Sequence, residues 1–184
     1  MENTKIAKAK REEKEAILKC ARRVLAYGED SSLSSRINEA SIEEDIENGD
    51  LRILKQNKRV LGAIKAVSNW GDRLFKDGRN YKKEMDVLDG FAYEGERIVY
   101  VDYLFVDPSF NRKKLGTSLM QTLFHHYEES SFLLLLTEKD CLAFFRAMGF
   151  YKAHIDEDLG FAIEKGRLYV RPIQKTGLCS QPLF

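Results

Sequence analysis

The chain has 184 residues, enough for one domain with a sizeable core. Its 30 Lys and Arg against 29 Asp and Glu nearly cancel, so bulk charge gives no argument for nucleic-acid binding. No apolar run approaches the roughly 18–20 residues of a membrane helix, and Met1-Glu2-Asn3-Thr4-Lys5 opens no signal peptide. Cys20, Cys141 and Cys179 are widely separated and have no zinc spacing, which reads as reduced thiols in a cytoplasmic protein without a bound metal.

In chain order, Thr4 to Ala9 is a short strand candidate, with one continuous helix over 4–27 as the alternative. Ala16, Ile17, Cys20, Ala21, Val24 and Leu25 form one stripe, which predicts a helix from Glu12 to Tyr27 ended by Gly28. Ile37, Ile42 and Ile46 predict a second helix, with Gly49 as its C-cap. Leu51–Leu54 and Val60–Val67 then read as a hairpin turning through Gln56 to Arg59. Ser68 to Glu96 is polar and dotted with Gly, and carries Trp70, Phe75, Tyr81 and Phe91. A connection this long reads either as strand extensions with a surface loop or as a substrate-facing lid lined by Trp70 and Tyr81.

The run Ile98-Val99-Tyr100-Val101-Asp102-Tyr103-Leu104-Phe105-Val106 predicts a strand buried on both faces, stopped by Asp107-Pro108. Ser109-Phe110-Asn111-Arg112-Lys113-Lys114-Leu115-Gly116-Thr117-Ser118 follows as a polar turn. Leu115, Leu119, Leu123 and Tyr127 then repeat every fourth residue, the apolar stripe of a helix. A helix N-terminus offers unpaired N–H groups and partial positive charge, and three adjacent cations strengthen the attraction for phosphate. Gly116 lacks a Cβ, so a ligand or a neighbouring strand can come close. The spacing is neither that of a P-loop nor that of a dinucleotide fingerprint. Phe132 to Thr137 predicts a buried strand and Glu138 to Met148 a helix. Two last strands follow, within Tyr151–Ile163 and over Leu168–Ile173, and residues 175–184 form a tail.

Val106-Asp107-Pro108 followed by Asn111-Arg112-Lys113-Lys114-Leu115-Gly116 and an amphipathic helix resembles motif A of the GCN5-related N-acetyltransferases, the GNAT family. The departures are Asn111, where the family has Arg or Gln, and Lys114, where it has its first glycine. Phe144-Phe145-Arg146-Ala147-Met148-Gly149-Phe150 resembles the family's Phe-Tyr-x-x-x-Gly-Phe ending, with Phe145 in place of the tyrosine that protonates the leaving thiolate in many members.

The resemblance implies a single α/β (α+β) domain over 1–174 with a long insertion at 68–96. Its sheet would be mixed and mostly antiparallel, of about seven strands, with helices on both faces. The implied activity is transfer of an acetyl or short acyl group from acetyl-CoA to a small-molecule or peptide amine acceptor, by direct attack in a ternary complex. The loop Asn111, Arg112, Lys113, Lys114, Leu115, Gly116 and Thr117 would hold the pyrophosphate. The backbone of Leu104, Phe105 and Val106, where the central strand parts from its neighbour, would pair with the pantetheine arm. Many relatives pair as homodimers, whereas nucleic acid and membrane have no place in the implied chemistry.

Amine attack needs a group to take the ammonium proton. Asp102 is the only charge in an otherwise apolar and aromatic strand, and Tyr100 lies two residues earlier on the same face. A carboxylate enclosed by apolar groups holds its proton more tightly, which suits a base near neutral pH. Asp102 and Tyr100 are therefore the catalytic candidates, against a purely structural role for Asp102. Phe145 and Lys114 keep a second reading open, a non-catalytic coenzyme-A-binding regulatory or interaction domain on the same scaffold. His125, His126 and His154 read as surface or structural residues, and Cys141 as a small core residue.

Overall fold

A computed structural model describes residues 4–27, 37–68, 97–110, 113–128, 130–135, 142–152 and 168–171. The elements in order are β1 (Thr4–Lys8), α1 (Lys14–Tyr27) entered through a 3-10 turn (Arg11–Glu13), α2 (Glu39–Asn48), β2 (Leu51–Gln56) and β3 (Arg59–Val67). They continue with β4 (Arg97–Val106), a second 3-10 turn (Pro108–Phe110), α3 (Leu115–His126), β5 (Ser130–Leu135), α4 (Leu142–Ala147), β6 (Tyr151–Lys152) and β7 (Leu168–Arg171). The strands form one seven-stranded sheet in the order β1-β2-β3-β4-β5-β7-β6. Every neighbouring pair is antiparallel except β4 and β5.

The strand-then-helix reading of residues 4–27 holds, and Gly49 closes α2 in the left-handed conformation at φ 77°. Asn38 caps the start of that helix by accepting from the Ser41 amide at 2.9 Å. β5 begins at Ser130, two residues ahead of the apolar run, because Ser130 and Ser131 already pair with Arg97 and Ile98. The proposed helix over Glu138–Met148 is seen as Leu142–Ala147, and the strands after it as Tyr151–Lys152 and Leu168–Arg171. The proposed lid at 68–96, apart from Ser68, and the 175–184 tail lie outside the described residues.

Helices cover both faces of the sheet, so the core has two parts. On one side Ile17, Cys20 and Ala21 of α1 and Ile42 and Ile46 of α2 pack on Ile53, Ala63, Tyr103 and Phe105. Burial there pushes the Cys20 thiol up to about 11, which keeps it protonated and inert. On the other side Leu119, Met120 and Leu123 of α3 and Phe145 of α4 pack on Leu61, Ile64, Val99, Val101 and Phe132. No helix among the described residues is long and apolar enough to cross a membrane.

Two irregularities position the centre of the sheet. In β4, Val101 pairs with Ala66 and Tyr103 with Lys65, so Asp102 is an extra residue and forms a bulge. Gly62 of β3 is the other: a Cβ there would sit 2.7 Å from the Phe105 carbonyl oxygen and 3.3 Å from Leu119 Cδ1. Gly62 thus lets β3, β4 and α3 close on one another. Gly62→Ala is expected to cost about 1–3 kcal/mol through overpacking against backbone. Urea denaturation should show a lower midpoint with an unchanged slope.

Candidate active site

The site is built where β4 ends and α3 begins. β4 runs parallel to β5 from Arg97↔Ser130 to Val101↔Leu134. Leu135 pairs with Leu168 of β7, and β4 continues for five more residues along β3. Among the described residues the parallel ladder runs as far as Val101; residues 136–140, and with them the parting expected at Leu104–Val106, lie outside the described residues. The bulge at Asp102 bends β4 just past the last described pair. Beyond it, the backbone of Tyr103 to Val106 has β3 on one side and no described strand on the other. The Phe105 side chain is buried against α1, and Leu104 and Val106 pack toward α3, so backbone groups are what this edge offers.

Asp107 anchors the loop that follows. Its side chain is 0 % exposed, and its Oδ2 accepts from Arg23 Nε and from Arg59 Nη2, both at 2.9 Å. Its Oδ1 accepts from the Ser109 amide at 3.1 Å, and its own amide donates to the Leu61 carbonyl at 2.7 Å. Burial alone would raise this carboxyl, but the Arg59 and Ser109 hydrogen bonds and the Arg23 charge outweigh it and hold it below its ordinary value. The sequence showed Asp107 only as a strand stop. Its partners lie on α1 and in the β2–β3 turn, and no local pattern joins them.

Lys114 is the N-cap residue of α3 and adopts the left-handed conformation, φ 57° and ψ 19°. It stands where the resemblance has a glycine, and the chain keeps that backbone shape at the cost a Cβ imposes there. Among the described residues no side chain caps the first turn of α3. The amides of Leu115, Gly116 and Thr117 are therefore first-turn donors left over by the helix. With Lys113 and Lys114 exposed beside them, these residues fit a diphosphate. Asn111 and Arg112 lie outside the described residues. At Gly116 a Cβ would come 3.4 Å from Phe144 Cζ and 3.7 Å from Leu104 Cδ2. Its near neighbours are thus α4 and β4 side chains, at ordinary contact distance.

Asp102 was read as alone among apolar neighbours. The structure gives it a partner, since Lys65 Nζ lies 3.0 Å from its Oδ2 and 2.9 Å from Asp45 Oδ1. Tyr103 donates its hydroxyl to Asp45 Oδ2 at 2.8 Å. Asp45 is 3 % exposed; burial raises its carboxyl above the ordinary value despite Lys65 and Tyr103. Burial works against the Lys65 ammonium, but Asp102 and Asp45 together hold its proton more tightly than usual. The Tyr103 hydroxyl is likewise pushed up, first by burial and then by Asp45. Tyr100 is buried in the same strand. Lys65 and Asp45 were missed because they sit on β3 and α2, and only the folded sheet brings them to Asp102.

Phe145 is 5 % exposed and meets the rings of Phe144 and Phe150 edge-on, at 5.0 and 5.7 Å between centroids. It belongs to the core and has no proton to give. Trp70 and Tyr81 lie outside the described residues. Among the described residues, no group of three or more His, Cys, Asp or Glu is placed to hold a metal.

Two outcomes are expected. Asp107→Asn should lose about 2–4 kcal/mol at pH 7, because two guanidiniums lose their common carboxylate. The folded value of Asp107 is lowered, so its stabilisation is full above the ordinary carboxylate value and lost as pH falls through the lower folded one. The gap between wild type and variant in urea titrations should therefore narrow below about pH 3.9. Lys114→Gly should stabilise the fold by about 0.5–1 kcal/mol, the left-handed cost less the extra freedom of the unfolded chain. A higher thermal midpoint would report it.

The sequence model of the acetyltransferase (GNAT) family matches residues 19–150. Three solved structures share the fold. One is a protein from Pyrococcus horikoshii OT3, at TM-score 0.62 and 16% identity over 94% of this chain and 100% of that one. The second is the ribosomal-protein-S18-alanine N-acetyltransferase from Escherichia coli, at 0.59 and 16% over 99% of both chains. The third is the PaiA N-acetyltransferase from Thermoplasma acidophilum in complex with coenzyme A, at 0.60 and 13% over 92% of this chain and 99% of that one. At such identities the likeness is one of fold, and no curated protein matches the sequence. The family match covers well over half of the chain, so the protein belongs to the acetyltransferase (GNAT) family.

Proposed function

We propose that the protein transfers an acetyl or other short acyl group from coenzyme A to a primary amine, by direct attack within a ternary complex. The observation that carries this reading is the coincidence, at one end of β4, of a strand edge and a helix N-terminus that have no partner strand and no side-chain cap among the described residues. The amides of Leu115, Gly116 and Thr117, with Arg112, Lys113 and Lys114, take the diphosphate. The backbone from Leu104 to Val106 takes the amide-bearing arm as an added strand. Trp70 and Tyr81 of the insertion are the proposed acceptor contacts.

In the chemical step the amine lone pair attacks the thioester carbonyl carbon and the carbon–sulfur bond breaks. Asp102 receives the ammonium proton, directly or through a water, with Lys65 fixing the direction of its carboxylate. Tyr100 is the second residue proposed for proton handling on this strand. The leaving thiolate takes its proton from solvent, since Phe145 offers none. A second reading, coenzyme A binding without catalysis, draws support from the same Phe145 and from the neutralisation of Asp102 by Lys65.

Calorimetric titration with coenzyme A and acetyl-coenzyme A tests the first half of the proposal. Arg112→Glu with Lys113→Glu should weaken binding by about 100-fold, on the order of 3 kcal/mol. No binding to the wild type at millimolar ligand would remove the proposal altogether. Asp102→Asn tests the second half. Coenzyme A affinity should be kept while kcat/KM for an amine acceptor falls by about 10²–10⁴. Unchanged turnover would take Asp102 out of the chemistry and leave Tyr100 to be tested.

A further inference from the structure

On the α1 face of the sheet, away from the helix α3 layer, lies a cavity of about 550 Å³ lined by Ala16, Lys19, Arg23, Lys58, Arg59 and Val60. Its volume is within the range of small-molecule sites, about 300–1,000 Å³. We propose that this cavity is a second anion site, distinct from the helix α3 N-terminus, and that it takes a small phosphate-bearing molecule.

Two separate segments deliver the charge. Ala16, Lys19 and Arg23 are spaced three and four residues apart, so they share one face of α1. Lys58 and Arg59 come from the β2–β3 turn, where Asn57 takes a left-handed conformation at φ 55°. Four cations thus face a common space, and the carboxylate that pairs with any of them among the described residues is that of Asp107. Lys19 and Lys58 have no hydrogen-bond or ion-pair partner among the described residues. Convergent like charges repel, and a bound anion removes that cost.

The chemistry of the walls selects the anion. Asp107 engages Arg23 through Nε and Arg59 through one terminal nitrogen, which leaves further guanidinium N–H groups on both. Planar guanidiniums match the oxygen spacing of phosphate, and the lysines add mobile point charges. Because Asp107 already fixes both arginines, little rotamer freedom is lost when the anion arrives. Ala16 and Val60 supply apolar wall, suited to the carbon part of a phosphorylated small molecule. Both groups adjoin the Phe110 ring: Arg59 lies over it at 5.1 Å and Lys113 at 4.8 Å. The two cation groups are therefore neighbours, supplied by different segments of the chain.

The phosphate could come from a separate molecule or from coenzyme A itself, and the test distinguishes them. The full chain would be titrated with inorganic pyrophosphate, with and without saturating coenzyme A, and followed by calorimetry and amide NMR. The expected result is a dissociation constant below about 1 mM. The amide shifts should centre on Lys19, Arg23, Lys58 and Arg59 and persist when coenzyme A is present. Lys19→Ala with Lys58→Ala, both exposed and without a partner among the described residues, should leave the fold intact and weaken this binding at least tenfold, whereas Lys113→Ala with Lys114→Ala should leave the binding intact. The proposal is overturned by any of three results: no shift at 20 mM pyrophosphate, binding that only the Lys113 and Lys114 changes remove, or binding abolished by coenzyme A. The last would assign the cavity's cations to coenzyme A's own phosphates.

Discussion

A buried carboxylate needs partners, because removing its charge from water costs several kcal/mol that only close opposite charges and hydrogen bonds offset. Asp107 meets that requirement with donors from three pieces of the chain: Arg23 from α1, Arg59 from the start of β3, and the Ser109 amide from the loop itself. Its own backbone amide donates to the Leu61 carbonyl within β3. The direction in which the chain leaves β4 is therefore set by α1 and the β2–β3 turn. The proposed phosphate-binding loop inherits its position from an ion cluster on the far side of the sheet.

The elements around that cluster were legible where one residue type repeats at one period. The nine-residue run from Ile98 gave β4, the Leu115–Leu119–Leu123 stripe gave α3, and Gly49 gave the end of α2. The site was legible only as far as it is local. The α3 loop could be found because its cations and its glycine are contiguous in sequence. The bulge at Asp102 could not, because an extra residue inside an apolar run leaves the run looking continuous. Lys65 and Asp45 stayed hidden for another reason: a lysine in a strand and an aspartate in a helix look like surface residues until β3, β4 and α2 assemble around them. At Gly116 the neighbouring strand was legible, but not the Phe144 ring, which comes from a helix 28 positions later.

The site that results combines preserved backbone with altered side chains. The left-handed turn before α3 survives with Lys114 in place of a glycine, so the geometry of the loop does not depend on the residue that usually grants it. At the other end of the reaction, Phe145 is absorbed into an aromatic cluster with Phe144 and Phe150. What remains polar at the centre is the Asp45–Lys65–Asp102 chain, two carboxylates sharing one ammonium and tied to Tyr103. Such a chain holds Asp102 at a fixed angle.

The bulge at Asp102 also sets the frame of every residue that follows it in β4. Val99 and Val101, before it, face the α3 layer, and so do Leu104 and Val106 after it; Tyr103 and Phe105 face α1. This arrangement exists only because Asp102 takes up one step of the side-chain alternation. A regular ladder with Asp102 paired inside it would send Tyr103 and Phe105 into the α3 layer and Leu104 and Val106 into the α1 layer. It would also carry Asp107 one position along β3, out of the register in which its amide meets the Leu61 carbonyl. The frame of β4, and with it the two halves of the core, is thus counted from the same residue that is proposed to handle the proton.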